Sequence, residues 1–198
     1  MTGRDQDDGT VTRVYRALRR IRRTEEEIAR LYPSDKIRSP VHLSIGQESV
    51  AVGVCDALRP DDVASATYRC HATYLAKGGD LKAMMAELYG KATGCAGGKA
   101  GSMHLIDIAH GVLGASAVVG TTVAISVGYA LALKQYFDRH IGRYRICTLH
   151  FYRAFGADHR IGRLVVVGKG GPDVCRTTVS IFQRCFGLYV DPRLFVDL

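Results

Sequence analysis

The sequence lacks the features that mark several common classes of protein. No two of its six cysteines have C-x-x-C spacing, so neither a zinc ribbon nor a thioredoxin-type dithiol is indicated. Residues 1–10 are polar and acidic, and no apolar h-region follows them, so no signal peptide is predicted. The longest apolar run, residues 118–133, is interrupted by glycine, serine and threonine and is too short for a bilayer span. These absences predict a cytoplasmic protein with reduced thiols and no membrane segment.

The composition changes along the chain. Residues 1–138 contain nineteen alanines, residues 139–198 contain two, and no glutamate follows Glu87. Helical periodicity also fades in the second segment, where residues 146–149 and 164–167 have the pattern of strands. We therefore divide the chain into a disordered lead over residues 1–10, a domain over residues 11–138, and a divergent basic tail of uncertain structure over residues 139–198.

The charge of the chain raises nucleic-acid binding as a hypothesis, and its distribution argues against it. The formal net charge is +8, which is a common property of nucleic-acid-binding proteins. However, the arginines of residues 13–30 are interleaved with glutamates at positions 25–27, which is typical of a solvated helix face. A basic binding module is therefore kept only as a third hypothesis, and a steep salt dependence of DNA binding would support it.

Helical and strand patterns alternate over the domain. Residues 63–68 are predicted to form a short buried strand, and Arg69 and His71 come directly after it. Ligands bind at the carboxyl ends of strands in open α/β sheets, so this position is a candidate ligand site. The predicted helices cover residues 11–31, 47–58, 80–91 and 118–135.

A glycine-rich stretch over residues 94–120 has two interpretations. Its seven glycines are compatible with a flexible surface loop and with a cradle in which backbone N–H groups bind a phosphate. The apolar residues at 103, 105 and 106 indicate that part of the stretch is buried. The stretch also leads into the apolar helix of residues 118–135, whose N-terminus favours negative charge. These two observations favour the anion site.

Four short motifs occur in a fixed order within about eighty residues. They are His42-Leu43 with Gly46-Gln47-Glu48, Tyr68-Arg69-Cys70-His71, Gly98-Lys99-Ala100-Gly101-Ser102-Met103-His104, and residues 114–120. Their order and spacing resemble the alpha subunit of the thiamine diphosphate-dependent 2-oxo acid dehydrogenases of the pyruvate, branched-chain and acetoin types. The resemblance covers about residues 11–135. It implies an α/β fold: an incomplete thiamine diphosphate-binding domain with a mostly parallel sheet flanked by helices.

The resemblance assigns cofactor contacts to four residues. It implies that Tyr68 and Arg69 bind the diphosphate, for which a guanidinium fork and a phenolic hydroxyl are suitable donors. It implies that the backbone at Ala117 and Val119 contacts the aminopyrimidine, although the family has glycine where this chain has Ala117. Without the resemblance, Arg69 would be interpreted as a surface charge and Tyr68 as a core ring.

The resemblance also assigns catalytic roles to three histidines. His71 corresponds to a histidine near the substrate, which could donate a proton to the 2-oxo acid. His42 and His104 correspond to histidines that line the approach to the thiazolium ring. For His104, a hydrogen-bonded structural role is an equally good interpretation.

The metal site of the family is not found in this sequence. The family holds magnesium with a Gly-Asp-Gly motif and a later asparagine, which supply the oxygen ligands that magnesium prefers. The corresponding position here is Tyr152-Arg153-Ala154, the nearest acid is Asp158, and the chain contains no asparagine. A reading-frame change or a novel tail would explain both this loss and the change in composition. A divergent family member with a different metal site is the alternative.

The resemblance implies a function and partners. A complete member performs oxidative decarboxylation of a 2-oxo acid and passes the acyl group to a lipoyl group. It implies an α2β2 assembly with a beta subunit that supplies the activating glutamate, and a lipoyl acyltransferase as the next component. The alternative is a non-catalytic truncated remnant without the magnesium site. We expect the chain alone to be inactive and, if its sheet is incomplete, poorly soluble.

Overall fold

The helices of the fold agree with the sequence pattern and differ from it at their ends. The computed structural model describes residues 3–137, 145–152, 161–168 and 195–196. The α-helices of these segments are α1 Gly3–Leu31, α2 Glu48–Ala57, α3 His71–Ala76, α4 Leu81–Leu88 and α5 Thr121–Phe137. The first helix begins earlier than the predicted residue 11, and α5 begins later than the predicted residue 118. The short helix α3 was not predicted.

Local sequence signals position the starts of two helices. The Asp80 side chain accepts hydrogen bonds from the backbone N–H groups of Lys82 and Ala83, so it caps α4 at the residue where the predicted helix begins. At the start of α5, Thr121 Oγ1 donates to the carbonyl of Val118 or to Ser116 Oγ. The turn that carries these contacts occupies the residues before Thr121, so the helix begins after it.

Five strands of the described segments form one sheet, in the order β2-β1-β4-β3-β5. They are β1 Val63–Thr67, β2 Val112–Ser116, β3 Arg145–Tyr152, β4 Ile161–Gly168 and β5 Phe195–Val196. The α/β class is confirmed, with a parallel pair formed by β1 and β2. The other three described pairs are antiparallel, so the parallel pairing that was predicted for most of the sheet is found in the pair β1 and β2. Only eight residues join β3 to β4, which is too short for a parallel crossover.

One apolar core lies between the first four helices and the parallel strand pair. Its largest members are completely buried, among them Ile21 and Ile28 of α1 at 1% and 0% exposure. The apolar side of α1 therefore faces the core. Further members come from every neighbouring element: Val52, Ala66, Tyr74, Met84, Leu105 and Val112.

The described segments contain cysteines that are not paired in disulfides. Cys55, Cys70 and Cys95 are free thiols, and burial raises the pKa of both Cys55 and Cys70 to about 12. These two thiols are therefore protonated and unreactive at neutral pH. The cysteines at 175 and 185 lie outside the described residues.

No helix within the described ranges combines the length and apolarity that a membrane crossing requires.

Candidate functional site

The parallel pairing of β1 and β2 creates a shared carboxyl edge. Thr67 at the end of β1 is the register partner of Ser116 at the end of β2. The residues that follow each strand therefore emerge side by side. Tyr68 and Arg69 follow β1, and residues 117–120 follow β2, so the structure brings together the residues predicted to bind the two ends of the cofactor.

A cluster of three side chains forms at the end of β1. The ring centroids of His42 and Tyr68 are 4.8 Å apart in an edge-to-face arrangement. The guanidinium carbon of Arg69 lies 5.6 Å from the centroid of the Tyr68 ring, and Arg69 Nη1 donates to the carbonyl oxygen of Leu43. These contacts connect the two motifs and hold the guanidinium in one place.

The charge and the polar atoms of this cluster are incompletely paired. Among the residues that the structure describes, no carboxylate forms an ion pair with Arg69. His42 Nδ1 is buried and has no hydrogen-bond partner there. A buried polar atom without a partner is costly. The cluster therefore offers a positive charge and a free nitrogen to an anionic, hydrogen-bonding ligand, as the diphosphate and ring of thiamine diphosphate would be.

His104 reaches the same edge from the glycine-rich stretch. It is exposed, and its Nδ1 lies 3.2 Å from the carbonyl oxygen of Ala115 on β2. Because a carbonyl oxygen only accepts, Nδ1 is the donor of this contact, and in the neutral tautomer that fits it Nε2 is the acceptor. His104 is thus both a fixed residue of the fold and a potential acceptor at the edge.

The turn after β2 adopts its shape without strain at Ala117. Among the described residues other than glycine, only Asp35 has a positive φ. The replacement of the family's glycine by Ala117 therefore causes no conformational penalty. Val118 and Val119 are 63% and 71% exposed, and the positive φ of 86° falls on Gly120, immediately before α5.

His71 lies in the core behind the edge. Its side chain is 0% exposed. Its Nδ1 lies 3.1 Å from Glu25 Oε1, and its Nε2 lies 2.8 Å from Ser102 Oγ. Both ring nitrogens are therefore engaged with other core residues. This geometry favours a positioning role over the predicted contact with substrate.

The first part of the glycine-rich stretch encloses a carboxylate of the chain itself. Glu87 on α4 is 0% exposed. Its Oε2 accepts from the N–H groups of Ala96 and Gly98 at 2.8 and 2.9 Å, and its Oε1 accepts from Ala100 and Gly101 at 2.6 and 3.3 Å. Burial alone would raise the pKa of Glu87, but these four donors outweigh it and the pKa lies below its ordinary value.

This carboxylate changes the interpretation of the stretch. The backbone donors that composition suggested for a phosphate are occupied by Glu87, so residues 96–101 form an internal anion cradle. A Cβ at Gly94 would lie 2.7 Å from Glu87 Cα, so a larger residue does not fit there. Sequence reasoning missed Glu87. The available signal was a single acid on the apolar face of α4, next to the buried Leu88.

The glutamate of the Gly46-Gln47-Glu48 motif is also structural. Glu48 is 6% exposed, forms an ion pair with Arg22 at 2.5 Å, and accepts from the N–H of Gly46 at 3.0 Å. Burial opposes ionisation, but Arg22 and the backbone donors hold the pKa of Glu48 below its ordinary value. The motif thus joins α1 to the start of α2 and fixes the loop that carries His42.

The strand end that corresponds to the family's metal motif is separated from the end of β1 by one strand. β3 is antiparallel to β4, which is antiparallel to β1, so β3 runs in the direction of β1 and ends at the same edge. β4 lies between them, which places the end of β3 roughly 10 Å from that of β1. No cluster of three or more potential metal ligands occurs in the described segments. Arg153, Ala154 and Asp158 lie outside them.

Comparison with known proteins identifies the family. A model of the dehydrogenase E1 component matches residues 16–151. The chain therefore belongs to the dehydrogenase E1 component family, which is thiamine diphosphate-dependent. The resemblance inferred from the four motifs is confirmed.

The similar proteins are alpha subunits. The chain is 43% identical over 121 residues to the alpha subunit of acetoin:2,6-dichlorophenolindophenol oxidoreductase from Bacillus subtilis, covering 61% of this chain and 36% of that protein. It is 45% identical over 121 residues to the pyruvate dehydrogenase E1 component subunit alpha of Zymomonas mobilis, covering 61% and 34%. It is 41% identical over 123 residues to the mitochondrial pyruvate dehydrogenase E1 component subunit alpha of Saccharomyces cerevisiae, covering 62% of this chain and 29% of that protein. The chain thus spans about a third of the length of these relatives.

Proposed function

We propose that this chain is the cofactor-binding N-terminal part of an E1 alpha subunit, and that Arg69 binds the diphosphate of thiamine diphosphate. The observation that carries this proposal is the guanidinium of Arg69 at the carboxyl edge, held by Leu43 and Tyr68 and without a described carboxylate partner. A fixed arginine without such a partner among the described residues is well suited to bind phosphate oxygens.

Each residue at the edge has a distinct part in this proposal. Tyr68 donates its hydroxyl to the diphosphate beside Arg69, and the backbone at Ala117 and Val119 contacts the aminopyrimidine. His42 and His104 present nitrogen atoms to the substrate side, where His104 Nε2 can accept a proton. When bound, thiamine diphosphate supplies the nucleophilic carbon that decarboxylation of a 2-oxo acid requires.

The proposal extends to substrate and partners. The similar proteins are named for pyruvate and for acetoin, so we propose one of these compounds as the substrate. We further propose an α2β2 assembly with a beta subunit, acyl transfer to a lipoyl acyltransferase, and a cytoplasmic location. Exposed apolar side chains on α5 support a protein partner: Ile125, Val127 and Leu131.

The second candidate is a non-catalytic remnant that lacks the magnesium site. The family match ends at residue 151, immediately before Tyr152-Arg153-Ala154, and β4 separates this position from β1. A change of reading frame after about residues 138–150 would explain both observations. Translation of the downstream DNA in the other frames is then expected to reveal a Gly-Asp-Gly segment followed by an asparagine, and its absence from every frame would refute this explanation.

Calorimetric titration of thiamine diphosphate with magnesium into the 198-residue chain tests the two candidates. We expect micromolar binding that Arg69→Ala abolishes, because the diphosphate loses its fixed cation. Arg30→Ala is the matched control, since Arg30 is exposed and paired with Glu27, and it should leave binding unchanged. Absence of heat, with and without a beta subunit, would favour the remnant.

A further inference from the structure

A buried hydrogen-bond network joins α1 to two loops and to α3. Glu25 Oε1 accepts from Ser44 Oγ at 2.8 Å and lies 3.1 Å from His71 Nδ1. His71 Nε2 lies 2.8 Å from Ser102 Oγ. Glu25, His71 and Ser102 are 0% exposed, and Ser44 is 2% exposed. We call these four residues the Glu25 network.

One arrangement of hydrogens satisfies the contacts of this network. His71 Nδ1–H donates to Glu25, and His71 Nε2 then accepts from the hydroxyl of Ser102. The order serine, histidine and acid resembles a hydrolase triad. However, complete burial leaves no approach for a substrate to Ser102, so the geometry excludes a nucleophilic role in this conformation.

The network is an inefficient source of stability. Glu25 Oε2 is buried and has no hydrogen-bond partner in the described part of the chain. A buried carboxylate with one unpaired oxygen is less favourable than apolar packing of the same volume. What such a network provides is directional contact, which fixes the distance between segments more specifically than apolar contacts do.

The network residues lie close in sequence to the proposed site residues. Three of them each stand two positions from a residue of the carboxyl edge: Ser44 from His42, His71 from Arg69, and Ser102 from His104. We call residues 42–44, 69–71 and 102–104 the site segments. They come from distant parts of the chain, and the Glu25 network connects all three.

We propose that His71 is a positioning residue, which holds the three site segments in register through the Glu25 network. The expected effect on thiamine diphosphate binding rests on the proposed function. The positioning of the three site segments by the Glu25 network does not depend on any ligand. Loss of the Ser102 hydroxyl removes its contact with His71 and should loosen residues 69–71. It should also loosen residues 42–44, which the network connects to Ser102 through Glu25 and His71.

The test uses Ser102→Ala in the full chain, with Ser126→Ala as the matched control. Ser126 is also 0% exposed, and its hydroxyl donates to Ser65 Oγ at 3.0 Å, so the control loses an equivalent buried hydrogen bond outside the network. Ser44→Ala is a second network variant if Ser102→Ala does not fold.

Two measurements are made on each variant. Hydrogen exchange without ligand should become faster in residues 42–44 and 69–71 of Ser102→Ala and remain unchanged there in Ser126→Ala. Thiamine diphosphate with magnesium should bind to Ser102→Ala about tenfold more weakly than to Ser126→Ala at a similar melting temperature. Equal exchange in the two variants would overturn the inference.

The two measurements separate this inference from the proposed function. If the wild-type chain binds no thiamine diphosphate, the proposed function fails, and the exchange experiment alone decides whether His71 positions the segments. If the wild type binds and both serine variants bind equally well, the inference fails while the proposed function stands.

Discussion

Two regions of this molecule use apolar side chains differently. In the region from α1 to β2, residues such as Ile28 and Tyr74 are 0% exposed and belong to one core. On α5, Ile125, Val127 and Leu131 are 57%, 41% and 44% exposed, and Ala130 is the fully buried apolar residue of the described part of this helix. The first region is covered by its own chain, and α5 presents an apolar face to solvent.

Both regions are rich in apolar residues, so their difference in exposure depends on which neighbouring elements cover them. A helix that is apolar on all sides is stable when other elements cover it. The chain matches about a third of the length of its relatives, which supports our proposal that further protein normally covers α5. The first region contains the motifs and their supporting networks, and we expect it to respond much more strongly to substitution.

Matched truncation of one isoleucine in each region provides the largest contrast. We expect Ile28→Ala to lower the free energy of unfolding by about 4 kcal/mol, because it leaves a cavity in the core. We expect Ile125→Ala to change it by less than about 0.5 kcal/mol, because the side chain is mostly solvated. Urea denaturation of the full chain measures both. Equal costs would mean that α5 is covered, and the contrast between the regions would be wrong.

Removal of the Glu87 charge should have the next largest effect. Glu87→Gln keeps the shape of the side chain but replaces one acceptor oxygen with an N–H₂ group, which then faces backbone N–H donors. We expect the free energy of unfolding to fall by about 3 kcal/mol at pH 7. Glu27→Gln is the control, because Glu27 is exposed and its solvent-screened pair with Arg30 contributes little to stability.

The same carboxylate predicts a dependence of stability on pH. The pKa of Glu87 in the folded chain lies below its ordinary value, so its contribution is complete above the unfolded pKa of about 4.3 and is lost as pH falls through the folded pKa. Wild-type stability should therefore decrease below about pH 4.3 more steeply than that of Glu87→Gln. Parallel curves for the two proteins over this range would contradict the role of the cradle.

Features that depend on residues close in sequence were predictable, and features that depend on distant residues were not. The cap at Asp80 and the strand β1 were predictable, because they depend on residues within a few positions of each other. The location of Arg69 was predictable, because ligand sites lie at the carboxyl ends of strands. The burial of His71 was not, since its partner Glu25 lies 46 positions away in the sequence.

The glycine-rich stretch of residues 94–120 also depends on a contact that its own sequence does not encode. Composition allowed a flexible loop or an anion cradle, and the apolar residues and the following helix favoured the cradle. Its backbone N–H groups do bind an anion, the carboxylate of Glu87. The identity of the anion depended on the path of the loop around α4, which no local pattern encodes. The insertion of β4 between β1 and β3 likewise depends on pairing between distant segments, and residues 164–167 alone indicated only a strand.

Two adjacent glycines of the cradle provide the finest test. Gly98 has a φ of 77°, and a Cβ there would lie 2.7 Å from the backbone at Gly90 and Lys91. Gly97 has a φ of 69°, and its Cβ would meet nothing within 4 Å. Gly97→Ala should therefore cost about 1 kcal/mol from backbone strain alone. Gly98→Ala should cost about 2 kcal/mol, because the backbone at residue 90 must also move.

The difference between these two variants measures how firmly the cradle is packed. Gly98 donates its N–H to Glu87, so a displaced Gly98 also weakens the pairing of that carboxylate. The double variant Gly98→Ala with Glu87→Gln should then cost less than the sum of the single changes, because the two residues share one interaction. Strict additivity in urea denaturation would mean that the loop is held by its contact with the backbone at Gly90 and Lys91 and not by the carboxylate.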